Sequence, residues 1–215
     1  LATADNAGSW RYLPNLLTLS RVPLLFVIAA LLFVDFPGSA SVAFALFVIA
    51  ALTDWADGHF ARRLGVISNF GKLMDALTDK VLTTGMFMAF VSVGLLPKWA
   101  IFPVLLILAR EFVITGLRLV AASHGRVLAA ERAGKQKTVT QLVAIHVVLA
   151  VPVLQEDLAR FAPEFITLLV PWVRLAGELS FVLAAVLTVT SGISYLVRYG
   201  HLFADMDPQV PPKES

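Results

Sequence analysis

Six stretches of the chain each hold a run of mostly apolar residues, at about 16–34, 40–60, 72–95, 98–121, 138–154 and 173–197. A helix needs roughly 20 such residues to cross the hydrocarbon core of a bilayer, so the pattern predicts six membrane-spanning helices. Polar punctuation separates them. The first run ends at Asp35 and the turn pair Pro37-Gly38, and the second begins after Ser39 and reaches Asp54 and Asp57. Pro97 divides the third from the fourth, Gly125 and Gly134 lie before the fifth, and Pro163 and Pro171 are read as loop before the sixth. The expected architecture is an all-α bundle, one domain over 1–204 with a disordered tail over 205–215. No internal repeat stands out. The first residue is Leu1 and the first ten lack the basic-then-apolar layout of a signal peptide, which fits a processed or truncated start.

Composition agrees and narrows the classes. Apolar residues make up 58% and charged residues 15% of 215, against about 45–50% and about 25% in ordinary soluble domains. Mean hydropathy is +0.81. A soluble enzyme, a disordered chain and a nucleic-acid-binding domain are excluded; 17 basic against 15 acidic residues leave a net charge of only +2. There is no cysteine, hence no disulfide framework and no thiolate ligand or nucleophile.

Charge placement gives an orientation. Arg11, Arg62, Arg63, Lys72, Arg126, Arg132, Lys135, Lys137, Arg198 and Lys213 collect on the side of the termini. The opposite side has Lys98, Arg160 and Arg174, diluted by Asp35, Glu156, Asp157 and Glu164. The positive-inside rule makes both termini cytoplasmic.

Against that background four carboxylates stand out, since a charge at mid-bilayer costs roughly 2.5–3.5 kcal/mol. Asp54 and Asp57 are i, i+3 at the end of the second span; Asp75 and Asp79 are i, i+4 at the start of the third. A short connection makes these helices antiparallel neighbours, so the four groups can converge at the cytoplasmic face. They cannot all ionise together uncompensated. Hard divalent cations, Mg²⁺ or Mn²⁺, would compensate them, and two such ions form a clamp for phosphoryl transfer. Gly58, Ala61 and Gly71 leave room for a bulky ligand, and Arg62 can reach a phosphate. Helix capping, or pairing with Arg62, Arg63, Lys72 and Lys80, is the competing explanation.

The motif is D-x-x-D-G-x-x-A-R over 54–62, eight intervening residues, then G-x-x-x-D-x-x-x-D over 71–79. It resembles the signature of the CDP-alcohol phosphotransferases at every defining position. The resemblance implies that family's six-helix membrane fold, homodimeric assembly and a cytoplasmic active site in the cell inner (plasma) membrane. It implies a two-metal centre on Asp54, Asp57, Asp75 and Asp79, with Asp79 also the general base, and a CDP-lipid site including Gly58, Ala61, Arg62 and Gly71. The implied reaction is displacement of CMP from CDP-diacylglycerol by an alcohol. Three further stretches, 14–21 (PNLLTLSR), 109–111 with Leu117-Arg118, and 134–138 (GKQKT), resemble the phosphatidylglycerophosphate synthases of the family. On that reading Asn15, Thr18 and Arg21 join the CDP-lipid site.

The residues favour an anionic acceptor, glycerol 3-phosphate. Arg110 and Arg118 are about two turns apart on one face of span four, and Lys135 and Lys137 open span five, where helix N–H groups also favour anions. Other readings remain open at each position. Arg110 can pair with Glu111 or a motif aspartate, the lysines can be ordinary positive-inside residues, Arg21 can snorkel, and Asn15 and Thr18 can cap. His59 and His146 read as structural, and Arg174–Glu178 as a local ion pair. Phosphatidylglycerol, inositol phosphate or serine are alternative acceptors. A divalent-cation transporter is a different class, but it would leave the motif glycines and Arg62 without purpose.

Overall fold

The computed structural model describes residues 13–34, 36–64, 69–125 and 132–200, without side-chain placement for 13–18, 54–64, 69–73, 75–76 and 132–135. The described residues form long helices and no strand: α1 (Leu13–Phe33), α2 (Ser39–Leu64), α3 (Asn69–Ser92), α4 (Ile101–Ser123, after a 3-10 turn), α5 (Arg132–Pro152) and α6 (Pro163–Tyr199). Among the described residues three segments are long and apolar enough to cross a membrane, Lys98–Ser123, Gln136–Leu158 and Pro163–Tyr199; Leu19–Phe33 and Ser39–Thr53 are shorter apolar helices.

The bundle is apolar inside and out. Phe47, Phe87, Phe90, Phe181, Ile107 and Ile145 are fully buried, while Phe26, Leu52, Phe102, Leu106, Leu168 and Val197 face outward. Such an exterior suits a multi-pass membrane protein. Lipid removes most of the hydrophobic drive between helices, so close packing and polar contacts must hold them together. The Phe87 and Phe181 rings meet at 5.0 Å, joining α3 to α6. At Gly177 a Cβ would stand 3.1 Å from Val148 Cγ2, so the missing side chain lets α5 and α6 approach. A buried Gln141 side-chain amide donates to Thr188 Oγ1 at 2.9 Å across the same contact.

One end of the bundle is built from tight, internally satisfied connections. After α3 the chain turns through Gly94 at φ +76°. The amides of Gly94 and Leu95 return to the carbonyls of Val91 and Phe90, a Schellman arrangement that requires the left-handed region glycine tolerates. At the same end α5 runs on through a π-helical turn, Val153–Leu158, in which the Ala159 amide reaches Leu154 O. This turn carries Asp157 to the start of α2. Its carboxylate accepts from the Gly38 amide (2.7 Å), the Ser41 amide (2.9 Å) and the Ser41 hydroxyl (2.5 Å). The helix thus receives its cap from a residue more than a hundred positions away in sequence.

The prolines before the last span do not mark a loop. Helix α6 starts at Pro163, includes Pro171 and runs 37 residues, about 55 Å at the α-helical rise. Proline is tolerated in the first turn, where its missing N–H has no intrahelical partner anyway. Pro171 forgoes one backbone bond farther in. The Arg174–Glu178 pair expected on this helix is not formed among the described ion pairs; the order Arg then Glu is the weaker one at i, i+4, and such pairs contribute little. His146 bonds Leu142 O through Nδ1 at 2.7 Å and meets Phe47 edge-on.

Candidate active site

The opposite end holds the buried charged side chains of the described residues, Arg21, Glu111 and Lys137. Asp54 and Asp57 fall near the C-terminal end of α2, and Asp75 and Asp79 near the N-terminal end of α3. Asp54 stands ten residues before the end of α2 and Asp79 ten after the start of α3, matching positions along the two helices. The side chains of Asp54, Asp57, Gly58, Ala61, Arg62, Gly71 and Asp75 lie outside the described residues, as do those of Asn15, Thr18 and Lys135. Asp79 is described and half-buried, and its carbonyl accepts from Thr83 Oγ1 at 3.0 Å. Among the described residues no three His, Cys, Asp or Glu groups could hold a metal ion.

A charged cluster spans α3, α4, α5 and α6. At its centre is Glu111, 3% exposed in a helix whose other charged residues are Arg110 and Arg118. Its Oε1 accepts from Arg110 Nη1 at 3.2 Å and from Lys137 Nζ. Arg110 Nη2 donates to Ser191 Oγ at 3.0 Å, so one guanidinium ties α4 to α6. Room for it comes from Gly192, where a Cβ would stand 2.6 Å from Arg110 Cγ. Arg118, two turns further along α4, donates from Nε to the Tyr195 hydroxyl at 3.4 Å and lies over that ring at 5.3 Å. Helices α4 and α6 run parallel here, so Ser191 and Tyr195, one turn apart, meet Arg110 and Arg118 in order. Lys80 is within electrostatic reach of Glu111, Asp79, Arg118 and Arg110. Cations therefore outnumber carboxylates in this described part of the cluster. Arg118 is exposed, but Arg110 and Lys137 are largely enclosed with one carboxylate between them, and such an excess is costly unless an anion completes it.

The sequence model of the CDP-alcohol phosphatidyltransferase family matches residues 11–189. The chain belongs to that family. Among its relatives, a Bacillus subtilis protein is 37% identical, over 74% of this chain and 91% of its own. A Salmonella choleraesuis protein is 34% identical over 86% and 92%, and a Rickettsia typhi protein 32% identical over 85% and 94%. All three are named CDP-diacylglycerol–glycerol-3-phosphate 3-phosphatidyltransferase. Membership makes this chain a membrane transferase of phospholipid biosynthesis, and the matched region includes both the aspartate helices and the Arg110–Glu111–Lys137 cluster.

Of the cations expected at an acceptor site, Arg110 and Lys137 are brought together through Glu111, and Arg118 lies on the same face of α4 as Arg110. Arg110 does pair with Glu111, as one of its readings had it. Arg21 is 5% exposed on α1, which is not the position of a snorkelling side chain. The sequence pattern placed Glu111 in the 109–111 stretch and as a pairing partner of Arg110, gave it no role in the site, and did not single out Ser191 or Tyr195. A glutamate in the middle of an apolar span was the available signal. Ser191 and Tyr195 carried none, because small and aromatic residues recur throughout such helices.

Proposed function

We propose that this protein transfers the phosphatidyl group of CDP-diacylglycerol to sn-glycerol 3-phosphate, giving phosphatidylglycerophosphate and CMP. It works as a six-span homodimeric enzyme of the inner (plasma) membrane, with both termini and the active site at the cytoplasmic face. The observation that carries the acceptor assignment is the largely buried pair Arg110 and Lys137, which share the one carboxylate of Glu111 a helix away from Asp79. The names of the relatives support the same reaction.

Arg110, Lys137 and Arg118, with Lys135 at the start of α5, hold the acceptor's phosphate. Binding there directs the free hydroxyl toward Asp79. The Asp79 carboxylate takes the hydroxyl proton as the oxygen attacks the phosphorus bearing the lipid. Asn15, Thr18, Arg21, Gly58, Ala61, Arg62 and Gly71 form the CDP-lipid site, where the arginines meet the diphosphate and the small residues admit the nucleotide. The donor set Asp54, Asp57, Asp75 and Asp79 is all carboxylate oxygen and fits two hard cations, Mg²⁺ or Mn²⁺. Bound there, such ions supply charge neutralisation for the diphosphate and the departing CMP. No side-chain nucleophile is required, so transfer is direct.

Purified protein assayed for CMP release from CDP-diacylglycerol, with each acceptor in turn, tests this reading. Release is expected with glycerol 3-phosphate. Preferential use of phosphatidylglycerol, inositol phosphate or serine would overturn the acceptor, and a trapped phosphatidyl-enzyme would overturn direct transfer.

A further inference from the structure

Glu111 has no part in the reaction as laid out above, yet it occupies the centre of the cation cluster. It is buried in a predominantly apolar helix, and two cations from different helices share its Oε1. Well-packed apolar residues commonly stabilise a core as well as a buried ion pair does, so stability alone is a weak reason for this carboxylate. The surroundings are shaped to one arrangement of Arg110. Gly192 clears its stem, and Ser191 and Glu111 take its two terminal nitrogens. Its Nε is buried and has no hydrogen-bond partner among the described residues. Buried donors are almost always satisfied, and a ligand oxygen is a chemically apt partner for this one. One carboxylate between Arg110 and Lys137 leaves a net positive charge at the pair.

We propose that Glu111 is a positioning residue for acceptor binding: it holds Arg110 and Lys137 side by side, at a separation their mutual repulsion would otherwise widen, so that together they grip a phosphate dianion. This rests on the proposed acceptor site. Glu111 touches no substrate and acts through the two cations. It neutralises enough of their charge to let them coexist in the membrane interior, and leaves enough to attract the ligand.

The test is steady-state kinetics of the full chain in lipid vesicles, varying each substrate separately. Glu111→Gln keeps the shape and removes the charge. It is expected to raise KM for glycerol 3-phosphate by about tenfold or more, the scale of a lost charge-assisted contact. The kcat, and KM for CDP-diacylglycerol, should move by no more than about twofold. Glu111→Asp, which restores the charge on a shorter stem, should recover part of the loss. A structural role would instead lower thermal stability and kcat and leave KM for glycerol 3-phosphate in place; that result overturns the proposal. Should Glu111→Gln not fold, Ser191→Ala, which frees one arm of Arg110, reads the same split. A rise of about threefold in that KM is expected from loosening one hydrogen-bonded arm of Arg110, and no rise overturns the proposal. Wild-type protein that fails to use glycerol 3-phosphate at all would overturn the acceptor reading itself, and this role with it.

Discussion

The two ends of the bundle treat charge in opposite ways. At the Asp157 end, one carboxylate meets two backbone amides and a hydroxyl, from Gly38 just before α2 and Ser41 in its first turn. Nothing there asks for a ligand, because the helix's own unsatisfied N–H groups use the charge. At the Asp79 end, Arg110 and Lys137 share a single carboxylate, and Arg118 and Lys80 stand close by. The first arrangement is saturated and serves the fold. In the second, two cations share one described carboxylate, which is the arrangement proposed above to take a substrate's phosphate. The two carboxylates also differ in burial: Asp157 is only partly covered, whereas Glu111 is 3% exposed.

The comparison can be broken most sharply at Asp79. Asp79→Asn should lower kcat by about 10²–10⁴-fold, the usual contribution of a general base, while CDP-diacylglycerol binding survives in a direct binding assay. Full turnover would remove Asp79 from that role. Next in size, Lys137→Gln should raise KM for glycerol 3-phosphate by about tenfold to a hundredfold, as expected for a contact to a charged group. The same substitution should leave KM for CDP-diacylglycerol nearly unchanged, which initial-rate measurements in both substrates will show. At the other end the effects should fall on stability alone. Asp157→Ala should cost about 1–2 kcal/mol, the scale of a lost helix cap, read as a lower melting temperature with both KM values intact. Smallest, Gly94→Ala should cost about 1 kcal/mol by forcing a Cβ into the left-handed region, again without kinetic change. A shift in acceptor KM from either of these last two would erase the distinction between the ends.

The hydrophobic pattern made much of this legible. Runs of about twenty apolar residues announce helices because a bilayer leaves the backbone no other way to satisfy itself except a closed barrel, and the aspartate motif stands out because charge there is expensive. The start of α6 was not legible: Pro163 and Pro171 look like breakers, and only the fold shows one in a helical first turn and the other absorbed inside the helix. Asp157 read as an ordinary outer-face charge because its partners on α2 are 116 and 119 positions away. The same limit applies to the active-site end. Arg110 and Ser191 are 81 residues apart, and Lys137 and Glu111 are 26 apart. Periodicity along one helix says which residues share a face, but not which face of another helix meets it.

The central claim is that the surplus positive charge around Glu111 exists to bind the acceptor's phosphate. The most direct measurement is kcat/KM for glycerol 3-phosphate against that for glycerol, which lacks the phosphate, in the wild type and in Lys137→Gln. The account predicts a strong wild-type preference for glycerol 3-phosphate that falls by about tenfold or more in the variant, with the glycerol rate unmoved. An equal loss for both acceptors, or an undiminished preference, would contradict it.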